Sequence, residues 1–312
     1  IENLKDMVAQ STLQKEKVER KLKKLQHRRV STSVNVLCSR PNMANTNNVI
    51  SSAVPSSNGA SEQLDLSSYM RLLRACVVEA GDASTSFTEL LTSLMKMAQW
   101  DLDAAARSIE PDLPFARKSH SKLAFEAYLW RRMLAGFESE NFGVDGSLPT
   151  EVDPEKRRTQ FYEEYEAMKD ADPATIVEQE PNGLFSRFCL KKFEEVVHPR
   201  MEEAFFGGLE QHRENISMGK HPNTPFYHCF LQAAKAIWRL HSLCFSISPA
   251  PRIFQAPRDA DFSPAYMESV IGIPTPVTTN AGDDDVGGGQ NDENEKVKIR
   301  VGFTVMPGFL LV

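Results

Sequence analysis

Asp101 and Asp103 follow Trp100 with one residue between them, and two carboxylates beside an indole could serve acid–base chemistry. The same spacing has a plainer use. Leu102, Ala105, Ala106 and Ile109 recur as one helical face, so Asp101 falls where a helix start needs an acceptor for free N–H groups, and Asp103 meets the positive end of that helix. Capping is the reading adopted. His241 and Cys244, three apart, share a helical face, but His228 and Cys229 lie about 20 Å away by helix rise, too far to complete a zinc site. Core thiols and a hydrogen-bonded imidazole are expected instead. His198-Pro199 and His221-Pro222 stand at helix boundaries, where imidazoles cap or face solvent. Arg187, Lys191 and Lys192 beside Glu194 and Glu195 read as a solvated basic patch.

Other chemistries lack their residues. Asp283, Asp284 and Asp285 are consecutive and lack the alternating ligand order of a calcium loop. Gly287, Gly288 and Gly289 run into Gln290 and acids, with no Lys-Ser/Thr pair to cradle a phosphate. No GxSxG elbow is present. The expectation is a non-enzymatic protein with no cofactor and no metal.

The elements that would position any site are helices. Leu66, Met70, Leu73 and Val77 begin the first, with an end expected at Gly81. Phe87, Leu91, Leu94 and Ala98 begin another, with Ser86 and Glu89 at capping-box spacing or Asp82 one turn earlier. Leu123, Ala127, Trp130, Leu134 and Phe137 form one face, and Phe125, Leu129 and Met133 a second, which predicts a central helix. Arg131 and Arg132 between those faces should snorkel or pair with acids. Phe226, Phe230, Ala233, Ile237, Leu240, Cys244 and Phe245 predict a long late helix. Asp153-Pro154, Asp172-Pro173, Thr224-Pro225 and Ser263-Pro264 share one start signal, a capping residue before Pro, and Gly207-Gly208 supplies a stop.

These residues carry a family resemblance. MKMAQWDLDAAARSIEPD, HSKLAFEAYLWRRMLAGFESENF, HPRMEEAFFGGLEQ and VGFTVMPGF, in this order from about Leu64 to Phe309, resemble the plant-specific domain-of-unknown-function family that includes the gravitropic-in-the-light protein and a receptor-kinase-interacting protein. The resemblance implies a coiled coil followed by a helical domain. It also implies a role in light-dependent gravitropism, with red and far-red light signalling, or in receptor-kinase signalling. It supplies no catalytic or cofactor residue. In the family the chain continues beyond the PGF, whereas Phe309, Leu310, Leu311 and Val312 end this one, which marks a truncated or divergent end.

The expected organisation is all-α: a coiled-coil segment at 1–29, a disordered linker at 30–62, a multi-helix domain at 63–275, an acidic disordered loop at 276–298 and a short strand-like tail at 299–312. Ile1, Leu4, Val8, Val18, Leu22 and Leu25 define the coiled-coil seam, with Ser11 and Lys15 as polar occupants of the same three-four register. A start at Ile1 rather than Met suggests a fragment of a longer coil. The segment carries +5 and leaves −11 on the rest of a chain whose net charge is −6. It lacks Trp or Phe anchors for a membrane surface, so self-association or capture of a protein partner is preferred, with peripheral membrane contact as the alternative. In the tail, Ile299, Val301, Phe303 and Val305 alternate with Arg300, Gly302, Thr304 and Met306 before a Pro307-Gly308 turn.

Composition bounds the function further. A net charge of −6 with 25% charged residues argues against nucleic-acid binding through the phosphate backbone. Five dispersed cysteines without a CxxC pair fit a reducing compartment: cytoplasm, with the nucleus or the plasma-membrane periphery as alternatives. Protein partners, a receptor-like kinase among them, are the expectation for a non-enzymatic adaptor; a membrane tether or an enzyme of unrecognised type are the alternatives.

Overall fold

The computed structural model describes residues 66–111, 113, 115, 117, 120–144, 153–206, 219–271 and 299–311. The coiled-coil segment with its seam Ile1, Leu4, Val8, Val18, Leu22 and Leu25, the linker and the acidic loop all lie outside the described residues. The described residues form eight helices and one two-stranded sheet. The helices are α1 (Leu66–Met97), α2 (Leu102–Ile109), α3 (Ser121–Met133), α4 (Pro154–Ala167), α5 (Pro173–Gln179), α6 (Leu184–Val196), α7 (Pro199–Phe206) and α8 (Pro225–Phe245). The strands are β1 (Arg252–Phe254) and β2 (Gly308–Leu310).

Helix α1 corrects the expected stop at Gly81 and restart near Ser86: it runs unbroken for 32 residues. Its buried stripe, Tyr69, Leu73, Cys76, Ala80, Ala83, Phe87, Leu91 and Leu94, keeps three-four spacing straight through the glycine. A glycine inside a helix costs about 1 kcal/mol, which a continuous buried face outweighs. Ser86 does not cap; its hydroxyl donates to the Asp82 carbonyl at 2.8 Å within the helix.

Helix α8 is the axis of the fold. Sixteen of its 21 residues are buried, and α1, α4, α5 and α6 all pack on it. It, rather than α3, is the innermost element; α3 lies against α1, α2 and α6. Three of the four expected cap-Pro starts are realised. Asp153 accepts from Glu155 N, Asp172 from Thr175 N, and Thr224 from Tyr227 N, each directly ahead of a Pro. Ser263-Pro264 makes only a single turn, with Tyr266 N and Met267 N bonded to the Ser263 carbonyl at 3.1 and 2.9 Å. Pro fixes one φ at a start, but Val270 and Ile271 beyond Met267 stay exposed, so no packing extends the turn.

The tail is strand-like at a shifted position. The alternating segment 301–307 is not strand, and Arg300 makes an isolated bridge with Asp261. The strand is β2, beyond the Pro-Gly pair, and it lies antiparallel to β1 with Ile253 opposite Phe309. The partner edge was not legible because β1 is three residues long and sits among prolines.

Candidate functional site

Among the described residues, an open groove between α1 and α8, about 740 Å³ in volume, has the shape of a site. Ala75, Ala83 and Ala236 line it together with Val78, Gln232 and four charged residues, Arg74, Glu79, Asp82 and Lys235. Two of those charges are already engaged. Lys235 Nζ donates to the carbonyls of Lys169 and Ala171 at 3.1 and 2.6 Å, beyond the end of α4. Glu79 accepts from Arg239 Nη1 at 2.5 Å, and the Arg239 guanidinium lies 4.9 Å from the Tyr165 ring centre. Burial pulls the Lys235 amine below its usual range. Val78 is 61% exposed on the rim. The trough sets small side chains between charges of both signs, and its lining residues include no Ser, Thr, Cys, His or Tyr.

The acid pair opening the sequence argument is a cap. Asp101 Oδ1 accepts from the backbone N–H groups of Asp103 and Ala104, each at 3.0 Å, and Trp100 packs toward Phe205 with ring centres 6.4 Å apart. His241 is fully buried. The rings of Phe137, Phe142, Phe161, Trp238 and Phe245 surround it, with centres 4.3 to 6.2 Å away. Its Nε2 meets the Ser139 carbonyl at 2.9 Å. Burial lowers its pKa to about 4, and backbone carbonyl contact offsets only part of that. His221 is similarly lowered to about 4 by burial, with Nδ1 at 2.6 Å from the Tyr227 hydroxyl. His198 caps α7: its Nδ1 accepts from Arg200 N at 3.2 Å. Cys76, Cys189 and Cys244 are buried free thiols, and burial raises the pKa of each. Among the described residues no three His, Cys, Asp or Glu side chains converge to hold a metal ion.

The expected solvated patch at Lys191-Lys192 is overturned. Lys192 is completely buried, and its Nζ donates to the Arg132 and Ala135 carbonyls at 2.9 and 2.7 Å and to Glu195 at 2.9 Å. It closes the C-terminal end of α3, where the last carbonyls lack partners and the helix dipole favours a cation. Lys191 donates to the Gly143 carbonyl at 2.7 Å. Sequence reasoning missed this because a lysine flanked by charges looks exposed; the signal was Phe188, Cys189, Phe193 and Val196, whose stripe includes position 192. Arg131 pairs as expected, with Glu110 at 2.6 Å. Also unread was Glu164, which accepts from Trp238 Nε1 at 2.8 Å and Ser242 Oγ at 3.2 Å inside the α4–α8 interface. Burial raises the pKa of that carboxyl, and the two hydrogen bonds oppose it.

No helix among the described residues is long and apolar enough to cross a membrane. Residues 253–311 match the family described as the GIL1/IRKI C-terminal domain. Over 265 residues the chain is 37% identical to "Protein GRAVITROPIC IN THE LIGHT 1" of Arabidopsis thaliana, an alignment covering 80% of this chain and 44% of that protein. The chain therefore spans less than half the length of that relative. No solved structure matches. Together the two matches place this chain in the plant GIL1/IRKI family.

Proposed function

We propose that the chain is a non-enzymatic adaptor or scaffold in plant signalling, linked to gravitropism in the light and acting through protein contacts. The observation that carries this reading is the 37% identity, over 80% of the chain, to a relative named for gravitropism in the light. Two further features support it. The polar groups that could do chemistry, Asp101, Lys192, Glu164 and His241, are each engaged in capping or packing. The basic heptad of residues 1–29 offers a seam, Ile1, Leu4, Val8, Val18, Leu22 and Leu25, whose spacing suits a second helix from another copy or a partner. The partners are proteins, a receptor-like kinase among them, and the setting is the cytoplasm, the nucleus or the plasma-membrane periphery.

Proximity labelling in plant tissue tests this reading, comparing the intact chain with one carrying Ser at Leu4, Val8, Val18, Leu22 and Leu25. A reproducible set of signalling proteins lost with the seam supports the adaptor; the same labelled set with and without the seam overturns the role given to it. The basic charge of residues 1–29 favours a second reading, a peripheral tether on anionic membranes. Flotation with anionic vesicles that is salt-sensitive and requires residues 1–29 would select it.

A further inference from the structure

The segment matched by the family's C-terminal domain does not enclose a core of its own. Its two halves are held to each other by backbone bonds. β1 pairs with β2, Asp259 N donates to Val301 O, Val301 N to Ala260 O and Phe262 N to Ile299 O, the last three at 2.9 Å. Thr304 Oγ1 adds a bond to Ala256 O at 3.0 Å. Yet among its described residues only Val305 and Pro307 are buried; Ile253, Phe309 and Leu311 instead lean on the core built by the helices.

The contacts to the helical body are few. Phe309 packs on Phe137 with ring centres 5.6 Å apart, and Phe303 meets Phe115 edge-on at 6.5 Å. Met306 rests on α1 at Gly81, where an added Cβ would come within 3.5 Å of its sulfur. Arg258 donates from Nη2 to the Pro111 carbonyl at 2.9 Å and lies 3.8 Å from Glu110, the acid already paired with Arg131. That guanidinium is 37% exposed, so its link to Glu110 is a weak tie. The dependence is one-sided. The helices bury α8 with side chains drawn from one another, whereas the C-terminal segment has little apolar burial without them.

We propose that residues 252–262 and 299–311 form a strap that is folded only against the helical body and opens from it as one unit. Opening occurs at lower free energy than unfolding of the body, and it uncovers Phe137, Phe115 and the Glu110–Arg131 pair as an aromatic surface with a charged edge. Sub-global units of this kind are marked by little buried apolar surface and by peripheral backbone bonds. The inference stands independently of which partner the chain recruits.

Hydrogen exchange on the intact chain, resolved by segment, tests it, with Phe309→Ala and Arg258→Ala as the perturbations. The strap amides of both halves, such as Phe262 and Val301, are expected to exchange together and at least roughly tenfold faster than those of α8. Phe309→Ala should accelerate both halves roughly tenfold or more and leave α8 unchanged; Arg258→Ala should act in the same direction with a smaller factor. Equal exchange in strap and α8, or acceleration of both by either variant, would show that the strap is integral to the body. A response confined to one half would show that it is not a unit, and no response to either variant would show that it holds itself folded. Failure of the Phe309→Ala chain to fold would count with the first of these.

Discussion

His241 makes the interior of this fold sensitive to acid in a way that can be calculated. The imidazole is fully buried among five rings, and its pKa falls from 6.5 to about 4. The unfolded chain therefore binds the proton more readily than the folded one, and stability rises with pH through the window between those two values. Acidification from about pH 7 to pH 5 should cost about 2 kcal/mol through this one group. At a urea dependence of about 2 kcal/mol per M, the unfolding midpoint drops by about 1 M. Carboxylates titrate over the same range, so the informative comparison is with His241→Gln, whose side-chain amide can still donate to the Ser139 carbonyl but does not ionise. The variant should be less stable at neutral pH, because ring contacts are lost, yet its midpoint should fall about 1 M less on acidification. His221, lowered to about 4 in the same direction, leaves the variant some residual slope. Equal acid slopes in the two proteins would refute the claim that a neutral, caged imidazole is part of the core.

Other consequences follow from the buried polar groups and one tight turn. Lys192→Met keeps the bulk but leaves the Arg132 and Ala135 carbonyls without their donor, which should cost about 2–4 kcal/mol and lower the thermal midpoint by roughly 5–15 °C in a scanning calorimeter. Glu164→Gln can still accept from Trp238 Nε1. Because burial raises the native carboxyl's pKa, the wild-type chain loses stability as pH rises through that pKa and the Gln variant does not. At neutral pH urea titration should find Glu164→Gln neutral or stabilising by up to about 1 kcal/mol, and Glu164→Ala destabilising by about 2 kcal/mol. Gly136 and Gly143 both have positive φ, but a Cβ on Gly136 would lie 2.6 Å from the Phe142 carbonyl oxygen while one on Gly143 meets nothing within 4 Å. Gly143→Ala should cost about 1 kcal/mol and Gly136→Ala at least about 1 kcal/mol more; equal losses in denaturant titration would show that the turn yields.

The parts legible in the sequence are those set by local chemistry. Asp101, Asp153, Asp172 and Thr224 cap helices because a short acceptor side chain ahead of an apolar period has few other uses. The thiols at Cys76, Cys189 and Cys244 and the ring-bound His241 sit on apolar stripes that could be read directly. What escaped depends on neighbours distant in the chain. Gly81 signalled a stop only because the packing on both sides of it was unseen. Lys192 looked like surface charge because the carbonyls it closes lie at the end of a helix some sixty residues away. The strand at 308–310 was displaced from the alternating residues because its partner is the Pro-flanked triplet 252–254. The groove between α1 and α8 was invisible for the same reason: small residues such as Ala75 and Ala236 become a surface only when two helices meet.

Complementation of light-grown seedlings lacking the protein is the most direct test of the claim that its interior is scaffold and its function lies in partner contacts. Three chains are compared at matched abundance: the wild type, folded His241→Gln, and the chain with Ser at Leu4, Val8, Val18, Leu22 and Leu25. The account predicts that His241→Gln restores the orientation response to gravity in the light as the wild type does and that the seam variant does not. Rescue by the seam variant together with failure of folded, normally abundant His241→Gln would contradict it and point to chemistry inside the helical body.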